Sequence, residues 1–310
     1  MQTRDIFIEF NKRDRDEIKS RWKNARMACD KWLTTTINEN VKSNERALII
    51  GAGGCLDFSL GDFVDKFQSV TLVDLDKKSM KEAVEELTEE QRGKILIVED
   101  DITGIVETKI NELRNVFVEM GVEKLCKEVE KFRDGIPTKF KNSKSLQVPK
   151  DSKYDFVFVN SITTQLFMPV FMIGVFSTDE IKDEYINKIN HIGKTTNQRL
   201  LISLFRTIHS ALNKGGVVAI SSDTFEFNQN NSEYFLKNYG SLEIISIAYM
   251  KNEKLIKDLQ KIQIIGGLPF VRDAINKANG FKLIEYIATW FWAFNEKQKY
   301  TVVGFSYKKN

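Results

Sequence analysis

The run Leu48-Ile49-Ile50-Gly51-Ala52-Gly53-Gly54-Cys55-Leu56-Asp57 passes from an apolar stretch straight into glycines. Glycine allows a sharp turn and has no side chain to hold a ligand away from the main chain. Gly51, Ala52, Gly53 and Gly54 therefore read as a seat for a nucleoside or amino-acid group, offering N–H groups at a helix start. The dinucleotide pattern G-x-G-x-x-G would require a third glycine where Leu56 stands, which weighs against NAD. About twenty residues further on, Val70-Thr71-Leu72-Val73-Asp74 is an apolar run ending in a carboxylate. Such an acid can accept from both hydroxyls of a ribose, and its charge opposes a 2′-phosphate. Asp76, two residues later, reads as a helix N-cap. A third run, Ile95-Leu96-Ile97-Val98-Glu99-Asp100-Asp101-Ile102, also ends in acids. Asp101 can accept from an adenine amino group with Ile102 over the ring face, or it can cap the helix that follows; both readings stay open.

Groups so placed need rigid elements behind them. Short continuous apolar runs at 47–50, 70–73, 95–98, 156–159 and 217–220 have the texture of strands buried on both faces of a parallel sheet, and the segments between them are long enough for crossover helices. Before them, Trp22, Arg26, Cys29, Trp32 and Leu33 fall near helical spacing, which predicts an N-terminal helical layer over residues 1–45. Residues 46–310 then form the ligand-binding domain, with insertions at about 104–150 and 161–200. In the first insertion, Val106, Ile110, Leu113, Phe117, Met120, Leu125, Val129 and Phe132 recur every three or four residues, predicting a helix broken near Gly121; residues 135–150, with Pro137 and Pro149, predict a surface loop. The second insertion opens with an apolar patch over 166–176, passes a mixed-charge stretch over 180–194, and ends in a helix predicted over 198–212; it is expected to roof the ligand cleft. Helices are predicted over 252–261 and 269–278, then strands over 281–294 and 300–307 joined by Asn295-Glu296-Lys297-Gln298, a loop of hairpin length. The fold class is thus α/β: a Rossmann-like, doubly wound sheet of seven strands, mostly parallel with a C-terminal antiparallel hairpin.

The bulk numbers set outer limits. A chain of 310 residues, 42% hydrophobic and 29% charged, is that of an ordinary globular protein able to bury a sizeable core. Forty-six Lys and Arg against 43 Asp and Glu leave a net charge of +3, too small an excess for life on phosphate backbones, so no nucleic-acid partner is expected. The richest basic stretch, 12–31, is interleaved with Asp14, Asp16, Glu17 and Asp30 and reads as a solvated helix face. Cys29, Cys55 and Cys126 form no CxxC pair and have no nearby histidines, which argues against disulfides and structural zinc and predicts no metal. No signal-peptide core or span-length apolar run is present, so the expected setting is the cytoplasm, with no membrane partner.

Taken in order, the strand with its GxGG turn, the strand ending in Asp74 and the strand ending at Asp101 resemble the consecutive cofactor motifs of class I S-adenosylmethionine (SAM)-dependent methyltransferases. The resemblance extends to Tyr154-Asp155-Phe156-Val157-Phe158-Val159-Asn160-Ser161, similar to the family's fourth strand, and to Ala211-Leu212-Asn213-Lys214-Gly215-Gly216, similar to its turn before the fifth. Ser161-Ile162-Thr163-Thr164-Gln165-Leu166 and Trp290-Phe291-Trp292 are similar to features of a poorly characterised bacterial subgroup. The resemblance implies SAM as cofactor and S-adenosylhomocysteine (SAH) as product. It further implies that Gly51, Ala52, Gly53 and Gly54 line the methionine and ribose part, Asp74 with Leu75 the ribose, Asp101 and Ile102 the adenine, and that Asn160 and Ser161 face the methyl group. The sequence departs from the N-P-P-Y type at Asn160-Ser161-Ile162-Thr163, which counts against amide-nitrogen targets of the kind that motif serves.

Methyl transfer from a sulfonium is an in-line displacement, for which positioning matters more than acid–base groups. A base is needed only if the nucleophile must lose a proton. His191, in the second insertion, is the candidate proton acceptor, although a histidine in a polar stretch is more commonly a surface residue; His209, on the following helix, reads as a packing or surface residue. The apolar patch Leu166-Phe167-Met168-Pro169-Val170-Phe171-Met172-Ile173 offers either an apolar substrate pocket or ordinary core, or a subunit contact that would make the chain a homodimer. Trp290 and Trp292 share one face of a strand and read as sheet-to-helix packing. The expected activity is methyl transfer to a small molecule or peptide. The competing readings are a transferase using another part of SAM, a SAM-binding scaffold without catalysis, and, behind these, an NAD-dependent oxidoreductase.

Overall fold

The computed structural model describes residues 15–141, 143, 146, 152–168, 171–172, 183–248 and 252–310. Expectations for residues 1–14, for Pro149, and for Pro169, Val170 and Ile173 of the apolar patch lie outside the described residues.

Helices α1 (Arg15–Arg21) and α2 (Lys23–Asn40) precede β1 (Arg46–Ile50), α3 (Leu60–Val64), β2 (Ser69–Asp74), α4 (Lys77–Glu85), α5 (Glu89–Gly93) and β3 (Ile95–Glu99). There follow α6 (Val106–Gly135), β4 (Tyr154–Asn160), α7 (Asp183–Ala211), β5 (Leu212–Phe227), α8 (Ser232–Tyr239), α9 (Leu242–Ala248), α10 (Glu253–Leu259), α11 (Leu268–Ala278), β6 (Phe281–Trp292) and β7 (Lys299–Lys309). The strands form a seven-stranded sheet in the order β3-β2-β1-β4-β5-β7-β6. Strands β1 to β5 pair in parallel, and β7 runs antiparallel to both β5 and β6. All five continuous apolar runs are strands, and the C-terminal pair is the antiparallel hairpin expected.

Side-chain alternation divides the core into two layers. Leu48, Ile50, Val73, Val157, Val159, Val218 and Ile220 point to the layer covered by α6, α7 and α11. Ala47, Ile49, Val70, Leu72, Phe156, Phe158, Val217 and Ala219 point to the other, which contains Cys29, Trp32, Leu33 and Ile37 of α2 together with Phe63 and Met80. Each fully buried aliphatic side chain stabilises by about 1.5–3 kcal/mol, so a run apolar on both faces fixes the strand's place in the sheet. Trp32 rests on Phe158 and Trp290, and Gly304 of β7 lets it do so: a Cβ there would stand 2.7 Å from Trp32 and 2.8 Å from Trp290.

Several expectations change. Helix α6 breaks at Gly121 (φ 75°, ψ −175°) as its spacing predicted, but the segment after it is no simple surface loop: Ile136, Phe140, Ser143 and Leu146 are buried, and the Phe140 N–H donates to Thr207 on α7. Helix α7 begins at Asp183 rather than 198, with Lys188 and Lys194 exposed on its outer face and Ile189 and Ile192 buried on the other. Of the readings open for the apolar patch, core packing with α6 and α7 is the one observed for Phe167, Met168 and Phe171, while Met172 is half-buried and Leu166 also lines a cavity. Helices α8 and α9 carry no prediction from the sequence.

Candidate active site

The parallel strands deliver their C-terminal ends to one edge of the sheet, where ligands bind in doubly wound folds. Strand β1 leaves the sheet at Gly51 (φ 76°), and the chain turns through Ala52 and Gly53 (φ 47°). No helix follows at once: residues 51–59 are irregular, and α3 starts only at Leu60, its entry held by Ser59, whose N–H and hydroxyl both donate to Asp30 at 2.7 Å. Three of the four amides of the turn are not bare either. Gly51 and Ala52 donate to the Val73 carbonyl at 3.0 and 3.1 Å, and Gly53 donates to Asp74 Oδ2 at 2.8 Å. The sequence-based expectation of free N–H groups at a helix start is corrected on both counts.

Asp74 is the hinge of this arrangement. Its Oδ1 accepts from the Asp76 N–H at 2.9 Å while Oδ2 takes Gly53, and the Leu75 amide also acts on the carboxyl, which leaves it part of its accepting capacity. Burial pushes its carboxyl above the usual range. Asp76 is the N-cap its position suggested, accepting from the N–H and hydroxyl of Ser79.

Two cavities meet at Gly51, Asp74, Ile162 and Gln165. The inner one, about 90 Å³, is lined by Val73, Leu75, Asp101, Ile102, Val106 and Leu166 among others. Asp101 caps the start of α6 from within it: Oδ1 accepts from the N–H and hydroxyl of Thr103, and Oδ2 from the Glu107 N–H at 3.0 Å. Of the two readings open for this acid, the capping one is observed directly. Ile102, 7% exposed, offers an apolar wall. The outer cavity, about 420 Å³, is lined by Gly51 to Asp57, Asn160, Ser161, Asp223 and Glu226, with Trp22, Trp292, Phe294 and Tyr300 along one side.

Asn160 closes the floor. Its side-chain amide donates to the Gly51 carbonyl at 3.3 Å and to Asp57 Oδ2 at 2.9 Å, and its oxygen accepts from Ser221 at 3.0 Å. It is a strut tying β1, β4 and β5 together. Ser161 adopts φ 50° and donates its N–H to Ser221. His191 is exposed on α7 and lines neither cavity, so the expectation of a proton acceptor there is not met by its placement. His209 packs edge-on against Phe281.

Two acids that sequence reasoning passed over belong to this site. Asp57 is half-buried beside Asn160, and desolvation raises its carboxyl, an effect that the Asn160 hydrogen bond and the charge of Arg26 offset in part. Asp223, at the outer end of β5, is 7% exposed; Oδ2 accepts from Thr164 at 2.9 Å, while Oδ1 has no hydrogen-bond partner among the described residues. Burial, with smaller contributions from the acids Asp57 and Glu226, raises its pKa from 3.8 to about 6. The only signal in the sequence was an acid at a strand end, one among many.

A stability consequence follows from Asp223. As pH rises from about 4 to about 6 the unfolded chain releases this proton while the folded chain keeps it, so stability falls across that window. Asp223→Asn is expected to flatten this part of the curve, the two proteins diverging by up to roughly 3 kcal/mol. Urea unfolding at stepped pH reads the difference, and parallel curves would show an ordinary carboxyl.

No family model matches the chain, and no curated protein matches it. Solved structures do align over most of its length. A SAM-dependent methyltransferase from Clostridium acetobutylicum is 10% identical with 92% of each chain covered and a TM-score of 0.43. The N-methyltransferase NodS from Bradyrhizobium japonicum is 10% identical over 90% of this chain and 92% of its own, TM-score 0.39. An O-methyltransferase family protein from Burkholderia thailandensis is 9% identical over 96% of this chain and 59% of its own, TM-score 0.41. The fold is Rossmann-like, a seven-stranded α/β sheet with an antiparallel C-terminal pair. That statement stands on the strand order and senses, since overlaps of this size carry no weight for chemistry. Among the described residues no group of three His, Cys, Asp or Glu is placed to hold a metal, and no helix is long and apolar enough to cross a membrane.

Proposed function

We propose that the protein is a SAM-dependent methyltransferase acting on a small molecule or peptide, with SAM lying across the two joined cavities. The observation that carries this reading is the Asp74 carboxylate, pinned by the Gly53 and Asp76 amides where the cavities meet, with lone pairs left for a ribose. Adenine then occupies the inner cavity against Leu75 and Ile102, its amino group near Asp101. The methionine end lies along Gly51 to Gly54, its ammonium toward Asp57. The outer cavity continues past Asn160 and Ser161 to Asp223, Glu226 and the aromatic side chains, which is where a second molecule would sit.

When bound, SAM supplies an electrophilic methyl group on sulfur. The chain's own part is to hold the nucleophile in line with it and to keep water out. Calorimetry with SAM, SAH and NAD tests the reading: the two adenosyl sulfur compounds are expected to bind in the micromolar range and NAD at least about tenfold more weakly. NAD binding as tight as SAH would sink the proposal.

A further inference from the structure

The outer cavity has a chemical character of its own. Asp57, Asp74, Glu82, Asp223 and Glu226 line it against a single described cation, Arg15, and Arg15 is already paired with Glu86 and hydrogen-bonded to the Gly54 carbonyl. Beside the acids stands an aromatic wall. Trp22 meets Trp292 edge-on at 4.9 Å, Phe294 lies 5.0 Å from Trp292, and Tyr300 lies 5.8 Å from Trp292 and 5.7 Å from Phe294. Strand register brings the two sets together: Tyr300 on β7 pairs with Glu226 on β5 on one side and with Trp292 on β6 on the other. Asp223, three residues before Glu226 on β5, is the buried acid with an unpartnered oxygen.

Acids beside π faces, with no free cation among the described lining residues, attract a positive charge and repel a carboxylate or phosphate. We infer that the methyl acceptor is a small amine that enters as its ammonium ion, seated against Trp292, Phe294 and Tyr300 with its nitrogen toward Asp223. This deepens the methyltransferase reading and rests on it. Asp223 takes a proton from the ammonium; the freed lone pair forms the N–C bond as the C–S bond breaks, and the electron pair of that bond returns to sulfur to leave SAH. The titratable groups around Asp223, Asp57 and Glu226, are both acids, and burial raises its own carboxyl to about 6, which makes it a better proton acceptor than an ordinary carboxylate.

The test uses phenethylamine and its neutral analogue 2-phenylethanol as probes on the full chain. SAH binding is measured first by calorimetry, on the wild type and on each variant. With SAH saturating, phenethylamine is expected to bind at least about tenfold more tightly than 2-phenylethanol, and Asp223→Asn to remove about tenfold of that preference, the scale of a hydrogen bond to a charged group. Trp292→Leu leaves the acids in place and should weaken the amine by about threefold more than the alcohol, through loss of the cation–π contact. Retained SAH affinity certifies that each variant is folded. If SAH binds and the amine shows no preference, or does not bind, the amine inference is overturned while the cofactor reading stands. If the wild type does not bind SAH, both fall.

Discussion

Asp74→Ala is expected to weaken SAH binding by about 100-fold, the loss of two hydrogen bonds to a charged acceptor at about 1.5 kcal/mol each. The carboxylate has two jobs in the structure, and the experiment must separate them. It fixes the glycine turn through the Gly53 and Asp76 amides, and it presents its remaining lone pairs to the cleft. If only the first mattered, removing it would weaken every adenosyl ligand alike. Contact with the ribose predicts something narrower: the wild type discriminates against a 2′,3′-dideoxy analogue of SAH by most of that 100-fold, and Asp74→Ala binds SAH and the analogue almost equally. Undiminished SAH binding in the variant removes the ribose assignment altogether. An equal loss for both ligands would reduce Asp74 to a support for the turn.

What could be read from the sequence follows a physical line. Strands β1, β2, β4 and β5 announce themselves because a strand covered on both faces must be apolar throughout, as Leu48-Ile49-Ile50 and Phe156-Val157-Phe158-Val159 are; β3 has the same texture but is the sheet's edge, with Leu96 55% exposed, so the expectation of burial on both faces is corrected there. The break at Gly121 and the N-cap at Asp76 were legible because each depends on one residue's local preference. Partnerships between distant residues were not. Nothing local shows that the Gly53 amide is taken by Asp74, that Asn160 bridges Gly51 and Asp57, or that Asp223 is buried with one oxygen unmatched. These acids matter through desolvation, and desolvation is set by what three strands and the segment over 161–166 bring together. His191 illustrates the converse: its residue type suits proton transfer, yet an exposed position on α7 leaves it away from the cleft. Trp292 combines both cases. It packs on the helical layer through Trp22, as its place on a strand suggested, and it also lines the outer cavity, which its place on a strand could not tell.

The second large effect belongs to Gly51. Its φ of 76° lies in the left-handed region, and a Cβ there would stand 2.1 Å from Ile162 Cγ2 and 2.6 Å from the Asn160 carbonyl oxygen. Ile162 can rotate away; the Asn160 carbonyl belongs to the end of β4, whose side chain is tied to Asp57 and Ser221, and has nowhere to go. Gly51→Ala is therefore expected to cost about 3–5 kcal/mol, backbone strain and overpacking together, and to displace the strut that shapes the junction of the two cavities. Gly240 isolates the first contribution. Its φ is 85° and nothing lies within 4 Å of an added Cβ, so Gly240→Ala should carry strain alone, a cost of about 1–3 kcal/mol, and should leave SAH affinity unchanged. Adding Ile162→Ala to Gly51→Ala relieves the side-chain clash but not the one with the Asn160 oxygen, so the double variant should recover only part of the loss. Urea unfolding of the four proteins, with SAH titrations on those that remain folded, reads both effects. Equal destabilisation by Gly51→Ala and Gly240→Ala would mean that the junction yields to an added methyl group. The tight passage between β1 and β4 would then not be what holds the cleft in shape.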